Sequence, residues 1–513
     1  MTSSLQSALY LINPDLVQMI AAYLPLVDYH SLRAAYSLCQ LPKTALLHWE
    51  PYLLSLSSLN PLIHFRIHQF IKPIIHFLDI DRIKVLLDHK HFDIILQLLQ
   101  TKQTFTLNLK QSLFELACSR GDTSIVSTLL WDDSINPSYN NNIALRKSSY
   151  YGHAEIVGLL LLDPRVDPSD YTNYAIRFAA RYGHLGCVKL LLNDQRVDPS
   201  DHLNDAIREA CHFGHTDVVR LLLSDQRVNP GAYSNYSIRE VCKNGYDEIL
   251  EMLLADSRVD PTDCNFQCLQ NSIQFGHLNC LDLLLKDNRI DPTFQDDYPV
   301  RLASYIGATM PLRLLLSDKR IDPAKVGNVA IREACKNGHT GCVELLLMDA
   351  RLDGVTDLDE AFREAVHHGH SEIVRLLLQD GRANPASFGD YAIRSSTSRG
   401  HLEIVRLLLK DPRVNPAAED NEAIHNAVSN GHIDCLSILL QDTRVDPASQ
   451  NNRAIRWAAY GGLTDCVRLL LSDSRVDPSD LENIALKEAN RNGHNECVGL
   501  LLMDSRVNQV GMV

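Results

Sequence analysis

From about residue 110 onward, apolar and polar positions alternate in blocks that keep one spacing to the end of the chain. The stretch Asn173 to Leu203, NYAIRFAARYGHLGCVKLLLNDQRVDPSDHL, shows the pattern in full. Ala175, Ile176, Phe178, Ala179 and Ala180 form a short apolar segment of helical period. A Gly-His step follows at Gly183-His184, and then a second apolar segment with Cys187, Val188, Leu190, Leu191 and Leu192. The anchor glycine recurs at Gly121, Gly152, Gly183, Gly214, Gly245, Gly276, Gly307, Gly338, Gly369, Gly400, Gly431, Gly462 and Gly493, thirteen copies at a constant 31-residue step. A fixed period of this size predicts a solenoid of helical hairpins.

Each copy predicts its own boundaries. Asn173 precedes the first segment, where an Asx side chain is expected to cap a helix start. Asn142, Asn204, Asn235, Asn328, Asn421, Asn452 and Asn483 hold the same place, with Asp297, Asp359 and Asp390 as substitutes. Gly183 is expected to end the first helix. Three successive leucines in the second helix span more than one face, so copies are expected to stack and bury them from both sides. An aspartate then recurs in all thirteen copies, with arginine two residues later in twelve, as in Asp163 and Arg165. An Asx-Pro step follows, as in Asp167-Pro168 or Asn229-Pro230. Its free exchange of Asp for Asn points to turn chemistry, because a metal or acid-base site needs the charge.

The unit resembles the ankyrin repeat, on Ala179-Ala180-Arg181-Tyr182-Gly183-His184 and Val188-Lys189-Leu190-Leu191-Leu192. The resemblance implies an all-α, elongated solenoid of stacked helix-turn-helix repeats over residues 111–513, and a concave face that binds a protein partner. It also implies that the recurrent histidine fixes the helix-helix turn. Two departures stand out. The family's Thr-Pro-Leu-His opening reads Tyr174-Ala175-Ile176-Arg177 here, and the period is shorter than the usual ~33 residues, so shorter finger loops are expected.

Residues 1–50 follow a different pattern. Ile12 to Pro25 reads as a turn and an amphipathic helix, with Leu16, Val17, Ile20 and Leu24 on one face. Pro14, Asp15, Leu16, Ile20, Leu24 and Asp28 resemble an F-box. That resemblance implies docking to a Skp-type adaptor and cullin through Pro14, Leu16, Ile20 and Leu24, and hence a substrate receptor of a cullin-RING ubiquitin ligase. The alternative is a helical cap over the first repeat, leaving a repeat-only scaffold with no ubiquitin role. Residues 51–110 read as a helical linker holding a decayed repeat.

Composition narrows the chemistry. Ten of the thirteen cysteines share two repeat phases, such as Cys187 with Cys280 and Cys118 with Cys211, as small core residues do. Cys264, Cys268 and His277 make a weak zinc set without a fourth ligand. Nine histidines follow an anchor glycine, which is architecture and not catalysis. No phosphate loop, nucleophile elbow or paired-carboxylate motif departs from the repeat phase, so no enzyme activity, metal or cofactor is expected. No apolar run is long enough to span a membrane, and the N-terminus lacks the charged start of a secretory signal. A cytoplasmic chain, with a nuclear one as the alternative, is the expectation. Residues 111–513 carry a balance of −16, a poor surface for nucleic acid.

Two columns of positions are candidates for binding. Arg146, Arg177, Arg208, Arg239, Arg301, Arg332, Arg363, Arg394, Arg456 and Lys487 share one helical position. They read either as a basic groove for an acidic peptide or as partners of the aspartate ladder at Asp163, Asp194 and their equivalents. The two residues before each anchor glycine vary from copy to copy and place Tyr150, Tyr151, Arg181, Tyr182, His212, Phe213, Phe275 and Tyr305 in one register. Rings and arginines of this kind anchor protein interfaces. The expected partner site is therefore this column, on the concave face between residues 150 and 306.

Overall fold

The computed structural model describes Leu99 and residues 106–352 and 358–507, apart from the side chains at 264, 265 and 326. The F-box-like stretch with Pro14, Leu16, Ile20 and Leu24, and the decayed repeat before Leu99, lie outside the described residues. The described residues hold 26 α-helices and no strand. The fold is thus an all-α repeat solenoid. The chain divides into two compact units between Ser237 and Ile238.

In the first unit, short helices come in pairs. Tyr139–Tyr151 is followed by Ala154–Leu161, Asp170–Arg181 by Leu185–Leu192, and Asp201–Phe213 by Thr216–Leu223. First helices pack on first helices of the next repeat and second helices on second helices, which gives two layers. The second unit repeats this arrangement from Asp247–Ala255 to Asn495–Leu502. Its helix Phe294–Ile306 packs on Lys325–Asn337, and Thr309–Ser317 on Thr340–Leu347.

The core lies between the layers. Ile176, Ala179, Ala180, Cys187, Val188 and Leu191 are fully buried. Of the three successive leucines only the middle one, Leu191, is sealed from solvent, while Leu190 and Leu192 are half-buried. The predicted two-sided burial therefore belongs to one leucine per repeat, at roughly 1.5–3 kcal/mol for each such side chain.

The start of the first helix differs from the expectation. Asn173 is not an N-cap: it sits in the left-handed region with the two residues before it, Tyr171 at φ 55°, Thr172 at 57° and Asn173 at 52°. The same three-residue left-handed turn recurs at 140–142, 202–204, 233–235, 295–297, 388–390, 419–421, 450–452 and 481–483. L-residues disfavour this conformation by roughly 1–2 kcal/mol each, so neighbouring groups must hold it. Asp170 Oδ1 accepts from Tyr171 N at 2.7 Å. The buried Asn173 carboxamide reaches into the next repeat, where Asp198 N donates to Oδ1 at 2.9 Å and Nδ2 donates to Asp201 Oδ2 at 2.9 Å. Asn142 makes the same bonds to Asp167 N and Asp170. The recurrent asparagine is an inter-repeat clamp.

Members of the arginine column close left-handed turns and do not pair with the aspartate ladder. Arg146 Nε and one terminal nitrogen donate to Asn141 O at 2.8 Å and Asn140 O at 3.0 Å, closing the left-handed turn of its own repeat. Arg208 does so at Leu203 O and His202 O, and Arg456 at Asn451 O and Gln450 O. The aspartate ladder is already taken by the arginine two residues on. Arg196 is bidentate to Asp194 and also donates to Val166 O at 2.8 Å and Leu161 O at 3.1 Å in the preceding repeat. That Asp-x-Arg motif is a second clamp. Its guanidinium holds the Asp163, Asp194 and Asp225 carboxyls below the ordinary carboxylate range. The Asx-Pro step is the expected Asx turn, with Asp167 Oδ1 accepting from Ser169 N at 2.9 Å and Ser169 Oγ at 2.7 Å.

Candidate protein-interaction surface

The positions just before the anchor glycine are set by the histidine of the next repeat. His184 Nε2 donates to Tyr150 O at 2.9 Å, and His215 Nε2 to Arg181 O at 2.8 Å. A carbonyl only accepts, so these rings carry the Nε2 proton. The imidazole packs against the anchor glycine of the preceding repeat. A Cβ on Gly183, whose φ is +74°, would meet His215 Nδ1 at 2.5 Å. The histidine therefore clamps the backbone of the variable pair and leaves its side chains outward.

Three successive first helices in the first unit bring most of the column together. Tyr150 stands 4.6 Å from Tyr182 between ring centroids, with the Tyr182 hydroxyl donating to the Tyr150 hydroxyl at 3.2 Å. Tyr151 meets Tyr150 edge-on at 4.8 Å. The Arg181 guanidinium lies 5.9 Å from the Tyr182 ring centre and 5.1 Å from that of Phe213, bridging one ring to the next. Its charge is also met by Glu209 at 3.4 Å. His212 meets Phe213 edge-on at 4.7 Å. Tyr151, Tyr182 and Phe213 remain 53%, 40% and 41% exposed, large values for rings this close to one another.

Phe275 and Tyr305 belong to the second unit. Phe275 stacks on His277 at 6.3 Å, and the Tyr305 carbonyl accepts from His339 Nε2 at 2.9 Å. Both rings are exposed.

Sequence reasoning missed two members of the surface. Tyr174 and Phe178 stack at 3.8 Å along the helix Asp170–Arg181, and Phe178 reaches Tyr150 at 6.1 Å. Tyr174, Phe178 and Tyr182 are spaced by four, the signal of one helical face, and that spacing could have found them. Tyr171 and Tyr233, in the left-handed turns, lie under the Arg146 and Arg208 guanidinia at 5.0 and 5.1 Å. Nothing in the local sequence points to those contacts.

Two members of the weak zinc set have other surroundings. Cys268 is buried in the core, His277 Nε2 donates to Lys243 O at 2.9 Å, and the Cys264 side chain is outside the described residues. Among the described residues no group of three His, Cys, Asp or Glu could hold a metal ion. Burial pushes the Cys118 and Cys211 thiols up to about 12 and Cys187 to about 11, which leaves them unreactive. Among the described residues no helix is long and apolar enough to cross a membrane.

No curated protein matches the chain. Residues 150–234, 362–451 and 424–510 match the family model for ankyrin repeats in three copies, and the first of these matches spans the paired helices that carry Tyr150, Tyr182 and Phe213.

Proposed function

We propose that the chain is a non-enzymatic protein-interaction scaffold that grips a protein partner on the exposed ends of its first helices. The observation that carries this reading is the unbroken run Tyr151, Tyr150, Tyr182, Arg181 and Phe213 on three consecutive repeats. Rings and guanidinia packed against one another lose little side-chain freedom on binding, as interface anchors require. A photo-crosslinking residue placed at Tyr182 is expected to form a discrete protein adduct in cells that Phe213→Ala abolishes. The same residue placed at Lys336 is expected to form none. Equal adducts at both positions would sink the assignment of this face.

A second component rests on Pro14, Leu16, Ile20 and Leu24. Their pattern supports a substrate receptor whose N-terminus docks a Skp-type adaptor of a cullin-RING ligase while the repeats select the target. Purified adaptor and cullin are expected to be retained by the full chain and released by Ile20→Asp with Leu24→Asp. Retention by neither chain would leave a repeat-only scaffold with residues 1–50 as its cap.

A further inference from the structure

Resting on the scaffold reading, we infer that the partner segment is acidic: one of its carboxylates docks on Arg181 while neighbouring apolar side chains meet Tyr151, Tyr182 and Phe213. Capture of acidic motifs by arginine clusters is one of the few physical modes of peptide recognition. Arg181 is placed for it. Its guanidinium carbon lies 6.0, 5.9 and 5.1 Å from the ring centres of Phe178, Tyr182 and Phe213, so rings from two repeats hold it by cation–π attraction. The side chain stays 40% exposed, and Nε makes no hydrogen bond among the described residues. Glu209 stands off at 3.4 Å, outside the ~2.7–2.9 Å of a charge-assisted hydrogen bond. A guanidinium fixed by rings and only loosely paired is ready to take a planar carboxylate from a partner.

The charge balance around Arg181 points the same way. Arg146, Arg177, Arg181 and Arg208 stand on three consecutive first helices. Two carboxylates pair with them: Asp205, shared by Arg177 and Arg208 at 2.7 and 2.8 Å, and Glu209. Arg146 meets turn carbonyls and the faces of Tyr171 and Tyr174 instead. The acids in the same turns, Asp170 and Asp201, bond to turn amides and to Asn142 and Asn173. Guanidinia therefore outnumber their carboxylate partners on this face, although residues 111–513 carry a balance of −16. A basic segment is repelled here. A nucleic acid, charged at every nucleotide, runs on into the acidic remainder, whereas a short acidic segment stays on the patch and other charges are screened beyond ~8–10 Å. Exposed rings around a central arginine also exclude water from the ion pair, the arrangement of an interface hot spot.

The test is fluorescence anisotropy of the full chain with four labelled probes: a twelve-residue Glu/Leu/Phe peptide, its Gln and Lys counterparts, and a single-stranded oligonucleotide of equal length. The Glu peptide is expected to bind saturably, about tenfold or more tightly than any other probe. Arg181→Gln is expected to weaken it about tenfold, and Arg181→Lys, which keeps the charge without the planar fork, by less. Phe213→Ala is expected to weaken it about threefold or more. Glu209→Gln, which removes the competing carboxylate, is expected to tighten it, an effect that damage to the fold cannot mimic. Lys336→Ala is expected to leave it unchanged, and circular dichroism melting of each variant separates lost binding from lost folding. Equal binding of the Glu and Gln peptides, tighter binding of the Lys peptide or the oligonucleotide, full affinity in Arg181→Gln, or an equal loss in Lys336→Ala would overturn the inference. If the Tyr182 adduct in cells persists while the Glu peptide fails, the scaffold reading stands and only the class of partner falls.

Discussion

Residues 139–214 and residues 325–431 are joined by the same bonds and present different surfaces. In the second stretch His370, His401 and His432 donate to Lys336, His367 and Ser398 carbonyls, as His184 and His215 do at Tyr150 and Arg181. Arg394 closes its left-handed turn at Gly389 O, and Asp390 and Asn421 accept from the next repeat at 2.7 Å. Yet the exposed pairs there include Lys336-Asn337 and Ser429-Asn430, and Asn337 and Asn430 fold back onto Glu333 O and Asn426 O. The difference teaches why the array tolerates such variation. Every clamp grips main-chain groups or residues fixed in phase, so the two side chains before the glycine are free to change without loosening a joint.

The largest test of that separation is in the shared core. Leu191→Ala and Leu408→Ala remove fully buried side chains at one phase and are each expected to cost about 2–5 kcal/mol. Denaturant unfolding that found one of them neutral would break the equivalence of the two stretches. Next come the clamps. Asn173→Ala strands the Asp198 amide and frees Asp201, and Asn421→Ala strands the Asp446 amide, with expected losses of about 1–3 kcal/mol each. The loss at Asn173 is expected to be the greater, since it makes one more bond.

A sharper comparison uses two glycines with the same φ of +74°: Gly183 lies under His215, and Gly276 has nothing within 4 Å because Ala308 follows it. Gly183→Ala is expected to be more destabilising than Gly276→Ala by about 1 kcal/mol, the scale of one displaced rotamer. That excess is expected to vanish in a His215→Ala background, and a thermal double-mutant cycle reads it directly.

The smallest effect is in acid. The Asp163, Asp194 and Asp225 carboxyls are lowered by their arginines. Their contribution is therefore full above the ordinary carboxylate pKa of ~4 and lost as pH falls through the lowered values. Burial raises Asp390, the opposite sign. Asp390→Asn keeps the acceptor for Asn415 N and is expected to stabilise by under ~1 kcal/mol at pH 7, a gain that shrinks as pH falls through the raised value and is gone below the ordinary carboxylate pKa of ~4. Melting temperatures of the variant and parent across pH 3–7 check the sign.

The repeat phase, the helix pair, the terminating glycine, the buried cysteines and the Asx turn were all legible, because each reflects a local preference or a strict period. The left-handed turns were not. Tyr171 and Thr172 are bulky and β-branched residues that locally avoid positive φ, and the turn is held by the Asp170 carboxylate together with a guanidinium five residues on and the asparagine bonds to the next repeat. The pairing of the arginine column was misread for a related reason: Arg146, Arg208 and Arg456 bond to carbonyls, which carry no letter in the sequence, and Arg177 to Asp205, which lies outside the aspartate ladder. On the candidate surface the variable pair was visible, but the contribution of Tyr174 and Phe178 needed the helix to be built.

The uniform reach of the clamps has a consequence for how such a chain can change. The histidine bond spans 34 residues, the asparagine bonds 25 and 28, and the arginine bonds 30 and 35, so each joins a repeat to its immediate neighbour. Removing residues 184–214 would set Gly183 directly before His215, which would then lie over Gly152 in place of His184, and every joint would close again with the same chemistry. Loss, duplication or reordering of whole repeats is thus nearly invisible to the fold. It rewrites the order of rings and charges on the surface, much as cards can be shuffled without altering how they stack.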